Sequence, residues 1–136
     1  MILMDAGPLC AIFDKSQQET HARCVAALKN IRIPLVTTWA CMAEAMYLLY
    51  RAGGYMAQEK LWQMRATGRL SVHELTAIEG DRMREVMAQY RDTPMDLADA
   101  CLIAAAETLA LRRVFTIDGH FHAYRTADGQ ALEVIP

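Results

Sequence analysis

The chain has little of what disordered, secreted or membrane-spanning sequences are made of. Only 22% of its 136 residues are charged, and it has just seven glycines and four prolines. A chain that is 54% hydrophobic can bury enough surface to offset its ordering entropy, which excludes a disordered polypeptide. No apolar run approaches the ~18 residues a membrane helix needs, and no secretory leader opens the chain. A cytoplasmic protein without a membrane partner is therefore expected. The four cysteines (Cys10, Cys24, Cys41 and Cys101) have no C-x-x-C spacing and lie among apolar neighbours. They read as small core residues in a reducing compartment rather than as disulfides. Zinc is equally unsupported: His120 and His122 lack partners at finger spacing, and His21 and His73 stand alone. There is no internal repeat, and the length suits one domain spanning 1–136.

What is present alternates between short apolar runs and helical patterns. Ile2-Leu3-Met4 reads as a buried strand ending at Asp5. Pro8 suits the first turn of a helix carrying Leu9, Ile12 and Phe13, and Ser16 is the expected cap of a second helix. Leu35-Val36-Thr37 is a second strand. A helix capped by Thr37 or Thr38 comes next, continuing to about Arg51 and stopping at Gly53-Gly54. Tyr55 to Ala66 forms the next helix, Leu70-Ser71-Val72 a strand, and Thr76 caps a helix to about Tyr90. A further helix opens at Thr93-Pro94 with an apolar body from Leu97 to Leu109. Arg113 to Ile117 and Leu132 to Ile135 complete the strands. Strands separated by helices predict an α/β fold, a Rossmann-like α/β/α sandwich with a mainly parallel central sheet.

Against that pattern, several acids stand in unusual places. Asp5 and Asp118 each come directly after a predicted strand, at the edge where open parallel sheets bind ligands. Glu44 has Ala40, Cys41, Tyr47 and Leu48 as its neighbours three and four residues away, and Asp99 has Met95, Leu102 and Ile103. A carboxylate within an apolar face is costly without a cation or proton. Each acid also has an ordinary alternative. Asp5 and Asp118 could start turns before Gly7 and Gly119, and Glu44 and Asp99 could be hydrogen-bonded core groups. Asp96 could complete a capping box begun by Thr93. Taken together, Asp5, Glu44, Asp99 and Asp118 would repel one another unless neutralised, and Mg²⁺ or Mn²⁺ is the hard cation that oxygen ligands select. Such a pocket suits phosphodiester hydrolysis. Formal net charge is -2, but setting those four acids aside leaves fourteen bases facing twelve acids, eleven of the bases being arginine. An RNA substrate is compatible with that balance.

This ordered set resembles the PIN domain family, more narrowly the VapC-type toxins of bacterial toxin–antitoxin pairs. The matching residues are Asp5 after the first strand, Glu44 in a Thr-initiated helix, Asp99 in Leu97-Ala98-Asp99-Ala100-Cys101-Leu102-Ile103, and Asp118 in Thr116-Ile117-Asp118-Gly119-His120-Phe121. The resemblance implies a Mg²⁺- or Mn²⁺-dependent endoribonuclease, usually a homodimer, held inactive by a cognate antitoxin protein from the same operon. It assigns catalysis and metal binding to Asp5, Glu44, Asp99 and Asp118, and an orienting role to Thr116. Relatives often carry a further acid where this chain has Gly119-His120, which leaves the number of metals open. Asp96 and His120 become accessory candidates, one as replacement charge and the other as a phosphate contact.

Two other readings compete. A PIN-fold module that binds RNA or protein without cleaving would not need its acids. A receiver-like or phosphatase-like domain would need a nucleophilic aspartate and a nearby lysine after a strand, which this chain does not offer.

Overall fold

The computed structural model describes residues 1–136. Five short strands, β1 (Ile2–Met4), β2 (Leu35–Thr38), β3 (Leu70–His73), β4 (Arg113–Phe115) and β5 (Glu133–Ile135), form one sheet in the order β3-β2-β1-β4-β5. Every pairing is parallel. The expected mainly parallel sheet is thus wholly parallel, and helices flank it in the α/β/α arrangement. Strands so placed must be apolar on both faces. Accordingly Ile2, Leu3, Met4, Leu35, Val36, Val114 and Phe115 are all buried.

The helices are α1 (Ala6–Ala11), α2 (Gln18–Asn30), α3 (Trp39–Ala66), α4 (Ala77–Gln89) and α5 (Leu97–Leu109). α3 is two helical segments joined at Gly53 and Gly54, both non-helical. Gly54 has φ +67°, a backbone region that glycine enters without the Cβ penalty. α5 is buried continuously from Ala98 to Ala106, as its Ala-, Leu- and Ile-rich body requires of a helix enclosed on all sides.

Several expected boundaries shift. α1 begins at Ala6, capped by Asp5, with Pro8 in its first turn as expected, but it ends at Ala11, before Ile12 and Phe13. α2 starts after Gln17, which makes no side-chain cap; Ser16 instead donates to Asp14. α5 starts three residues beyond Thr93-Pro94, because the residue that caps it is Asp96 and its reciprocal partner is Asp99. The expected strand from Arg113 ends at Phe115, since Thr116 turns its hydroxyl to Asp5.

Thr76 caps α4 as expected, with the Glu79 carboxylate returning to the Thr76 backbone N–H. Thr76→Ala is expected to cost about 1 kcal/mol, read as a lower urea midpoint at unchanged slope.

The position of the crevice comes from the strand order. From β1 the chain moves to β2 and β3 on one side, and then crosses to β4 and β5 on the other. The reversal leaves a crevice at the carboxyl ends of β1 and β4, the position where sheets of this type bind ligands. Gly7 lets α1 close over that crevice: a Cβ there would lie 2.8 Å from Ile117 Cγ1.

Candidate active site

Asp5 and Asp118 leave adjacent strands at this crevice, and Thr116 joins them. The Thr116 hydroxyl donates to Asp5 Oδ2 at 2.7 Å across 111 positions of sequence, and its oxygen accepts the Asp118 N–H at 3.0 Å. The other Asp5 oxygen accepts the Ala6 N–H at 2.7 Å, capping α1. Asp5 is buried, and the Cys41 thiol lies 3.9 Å from Oδ1 as a further, weak donor. The turn-starting role considered for Asp5 is therefore real, and it coexists with a place in the crevice.

Asp99 comes from the first turn of α5. Its Oδ2 accepts the Asp96 N–H and the Tyr124 hydroxyl, each at 3.3 Å, while Asp96 Oδ1 accepts the Asp99 N–H at 2.8 Å. Asp99 Oδ1 accepts nothing from the protein and, because no fully buried side-chain oxygen lacks a partner, keeps a trace of solvent contact although the residue is only 6% exposed. Asp118 caps a 3₁₀ turn over Gly119–His122, with Oδ1 accepting the His120 N–H at 2.9 Å and lying 2.8 Å from His120 Nδ1. Its Oδ2 has no protein donor.

Glu44 departs from expectation. It is exposed, with no protein hydrogen bond, and does not lie within an apolar face. The buried stripe of this helix is Cys41, Met42, Ala45 and Leu49, and Tyr47, counted on the sequence as an inward neighbour, is 62% exposed. Asp96 is likewise exposed. Only Asp5 and Asp99 of the four principal acids are buried.

Electrostatics nonetheless link the acids. Burial raises the Asp5 carboxyl above its ordinary range, with Asp118 and Asp96 adding to the effect against hydrogen bonds from Thr116 and Ala6. Partial burial raises Glu44 too, reinforced by Asp96, Asp5 and Asp118. Asp99 is pushed up to about 7, first by burial and then by Asp96, with Asp5 and Asp118 contributing. No lysine or arginine is among the leading influences on any of the three. Carboxylates that raise one another this way form a field that a cation relieves.

As the side chains stand, no three His, Cys, Asp or Glu groups are gathered tightly enough to hold a metal ion. The reason is visible in the caps: Asp5, Asp99 and Asp118 each turn an oxygen onto a helix or 3₁₀ N-terminus. The donor chemistry still fits a hard divalent cation. The free oxygens of Asp99 and Asp118, both oxygens of Glu44 and the surplus negative charge are what such an ion takes.

Tyr124 carries no signal in the sequence. A lone tyrosine between Ala123 and Arg125 has no telling spacing, and only burial of its ring beside Asp99 reveals its contact.

Proteins similar to this chain are known. Ribonuclease VapC26 of Mycobacterium tuberculosis is 26% identical over 136 residues, spanning 99% of this chain and 100% of that protein. Two solved structures share the fold. One is the crystal structure of Mycobacterium tuberculosis VapC20, a sarcin–ricin loop cleaving toxin, with TM-score 0.85, 19% identity and 100% of both chains covered. The other is a toxin–antitoxin complex from Klebsiella pneumoniae, with TM-score 0.65, 16% identity and 87% of both chains covered. The PIN domain model matches residues 2–127, so the chain belongs to the PIN domain family.

Proposed function

We propose that this protein is a Mg²⁺- or Mn²⁺-dependent endoribonuclease and the toxin of a type II toxin–antitoxin pair. The observation that carries the reading is the set of mutually repelling carboxylates, Asp5, Glu44, Asp99 and Asp118 with Asp96 beside them, at the β1/β4 crevice of a PIN-family chain. These residues would hold the metal. When bound, a divalent cation supplies Lewis-acid polarisation of a phosphate oxygen and lowers the pKa of a water nucleophile.

The chain's own contribution is placement. Thr116 and the Ala6 N–H fix both oxygens of Asp5, so that carboxylate cannot swing away. The Asp96–Asp99 capping box holds Asp99 with Oδ1 outward. Glu44, exposed and without a protein hydrogen bond, has freedom to turn toward substrate or metal, whereas Asp118 offers only Oδ2 because its Oδ1 is held by His120. His120, half exposed beside Asp118, would hydrogen-bond a phosphate oxygen, and Asp96 would replace part of the charge of the further acid.

An antitoxin has an available surface. An apolar groove of about 430 Å³ between α2 and the second half of α3 is lined by Ile12, Phe13, Val25, Leu28 and Met64. A homodimer and a cytoplasmic location complete the reading, and no helix is long and apolar enough to cross a membrane.

One observation favours the alternative, a PIN-fold RNA- or protein-binding module that does not cleave: the acids do not converge on one point as they stand. The purified protein decides between the two. Incubated with total cellular RNA, and with a sarcin–ricin loop oligonucleotide because VapC20 is described as cutting that loop, it is expected to yield discrete fragments with Mg²⁺ or Mn²⁺ and none with EDTA. Intact RNA in every metal condition, together with retained RNA binding, would establish the non-cleaving module instead.

A further inference from the structure

Tyr124 is fully buried and its ring is clamped on two sides. The Tyr90 and Phe121 rings each meet it edge-on with centroids 5.1 Å away. Tyr90 is itself fixed, because its hydroxyl accepts the Arg125 N–H at 2.8 Å. A ring held this way places its hydroxyl with little freedom. The hydroxyl carries one proton and faces two acceptors, the Pro94 carbonyl at 2.9 Å and Asp99 Oδ2 at 3.3 Å. It therefore lies between the backbone leading into α5 and one of the four principal carboxylates.

We infer that Tyr124 is a positioning residue for the proposed nuclease reaction: its buried hydroxyl orients the Asp99 carboxylate so that Oδ1 presents to the crevice. This rests on the proposed metal-dependent cleavage. The geometry supports it in two ways. Asp99 Oδ2 accepts two long bonds, from the Asp96 N–H and from the Tyr124 hydroxyl, each at 3.3 Å; one such bond would leave the carboxylate free to turn about it, and two donors from different directions fix it. In addition, Asp118 and Tyr124 lie on one short segment around the 3₁₀ turn, so the element that delivers one acid also steadies another. Partners of this kind behind a metal ligand change affinity or activity about 10–100-fold when removed.

The two acceptors make the inference testable with Tyr124→Phe, which keeps the ring and its packing and removes only the hydroxyl. If the hydroxyl orients Asp99, Mn²⁺ binds at least about 10-fold more weakly by calorimetry. The maximal rate of fragment formation from total cellular RNA, at saturating Mn²⁺, falls in proportion. If the hydroxyl serves only Pro94, the melting temperature drops while Mn²⁺ affinity and maximal rate match the wild type, which overturns the inference. An Asp99→Asn background provides the second check: there, adding Tyr124→Phe is expected to weaken Mn²⁺ binding no further, and an additive loss would show that Tyr124 acts elsewhere. A wild type that neither binds Mn²⁺ nor cleaves RNA would remove the nuclease reading and this inference with it. A competent wild type indistinguishable from Tyr124→Phe would remove this inference alone.

Discussion

Asp99→Asn is expected to reduce metal-dependent RNA cleavage by about 100-fold or more while leaving the protein folded, a loss on the order of that caused by removing one preorganised group that stabilises transition-state charge, about 10²–10³ in rate. Asparagine is the informative replacement. Its side-chain oxygen can still accept the Asp96 N–H and the Tyr124 hydroxyl that Asp99 Oδ2 now accepts, so α5 keeps both halves of its capping box. What disappears is the carboxylate charge and the Oδ1 oxygen that accepts nothing from the protein. Alanine would leave the Asp96 cap but remove the reciprocal half of the capping box, the Asp96 N–H donating to Asp99 Oδ2, and the resulting instability could be mistaken for lost chemistry. The measurements are fragment formation from total RNA with Mn²⁺, growth inhibition on expression, and circular dichroism as a control on folding. Full activity in a folded Asp99→Asn protein would remove Asp99 from the mechanism. Asp5→Asn is the parallel case, but it also disturbs the only hydrogen bond between the Thr116 and Asp5 side chains, so some of its effect would reflect a looser crevice.

The second large effect is on stability, and it reverses with metal. Asp99 holds its proton in the folded protein up to about pH 7, against an ordinary value of 3.8. Between those limits the folded state binds a proton that the unfolded state has released, so stability falls as pH rises from about 4 to 7 and stays low above. The burial-raised carboxyls of Asp5 and Glu44 act in the same direction. Because Asp99 Oδ1 reaches solvent, the discounted effect of this group is roughly 1–2 kcal/mol. Urea denaturation in EDTA should therefore give a higher midpoint at pH 5 than at pH 7.5, and Asp99→Asn should flatten the difference. Adding Mn²⁺ at pH 7.5 should restore stability, by about 2.7 kcal/mol at a hundred times its Kd. Equal midpoints at both pH values, with no response to Mn²⁺, would mean that these acids neither repel nor collect a cation.

Both expectations come from one structural circumstance, a crevice that keeps its acids without keeping their counter-charges. Arg82 and Arg112, the two arginines with carboxylate partners, pair with Glu85, Glu107 and Asp128 on other parts of the surface. A protein built only for stability would place a base among these acids or replace them with apolar groups. Functional sites are where such local cost is retained.

Much of this is readable along the chain because it rests on local physics. Continuous apolar triplets can only be strands covered on both sides, and Thr76 with Glu79 announces a helix start through two reciprocal hydrogen bonds. Gly53 and Gly54 interrupt α3 because a positive φ is needed at the second of them. Asp5 and Asp118 draw suspicion from their places after apolar runs. Other features depend on neighbours remote in sequence. Helix spacing puts Glu44 on an apolar face, but spacing gives relative angles rather than the absolute direction of the core, and Tyr47 beside it points outward. The start of α5 is misread from the sequence because two overlapping capping patterns, Thr93–Asp96 and Asp96–Asp99, compete, and the choice falls to the one whose helix packs.

Sequence alone determined the element types, the acids available and the surplus of oxygen ligands over histidine and cysteine, since these are properties of composition and short-range spacing. Tertiary structure decided that β1 and β4 are neighbours, so that a threonine hydroxyl spans from Asp118 to Asp5. It also decided that Tyr124 stands behind Asp99 and that Glu44 meets solvent. Strand order and ring packing are set by contacts between residues far apart in the chain, where no local period carries information.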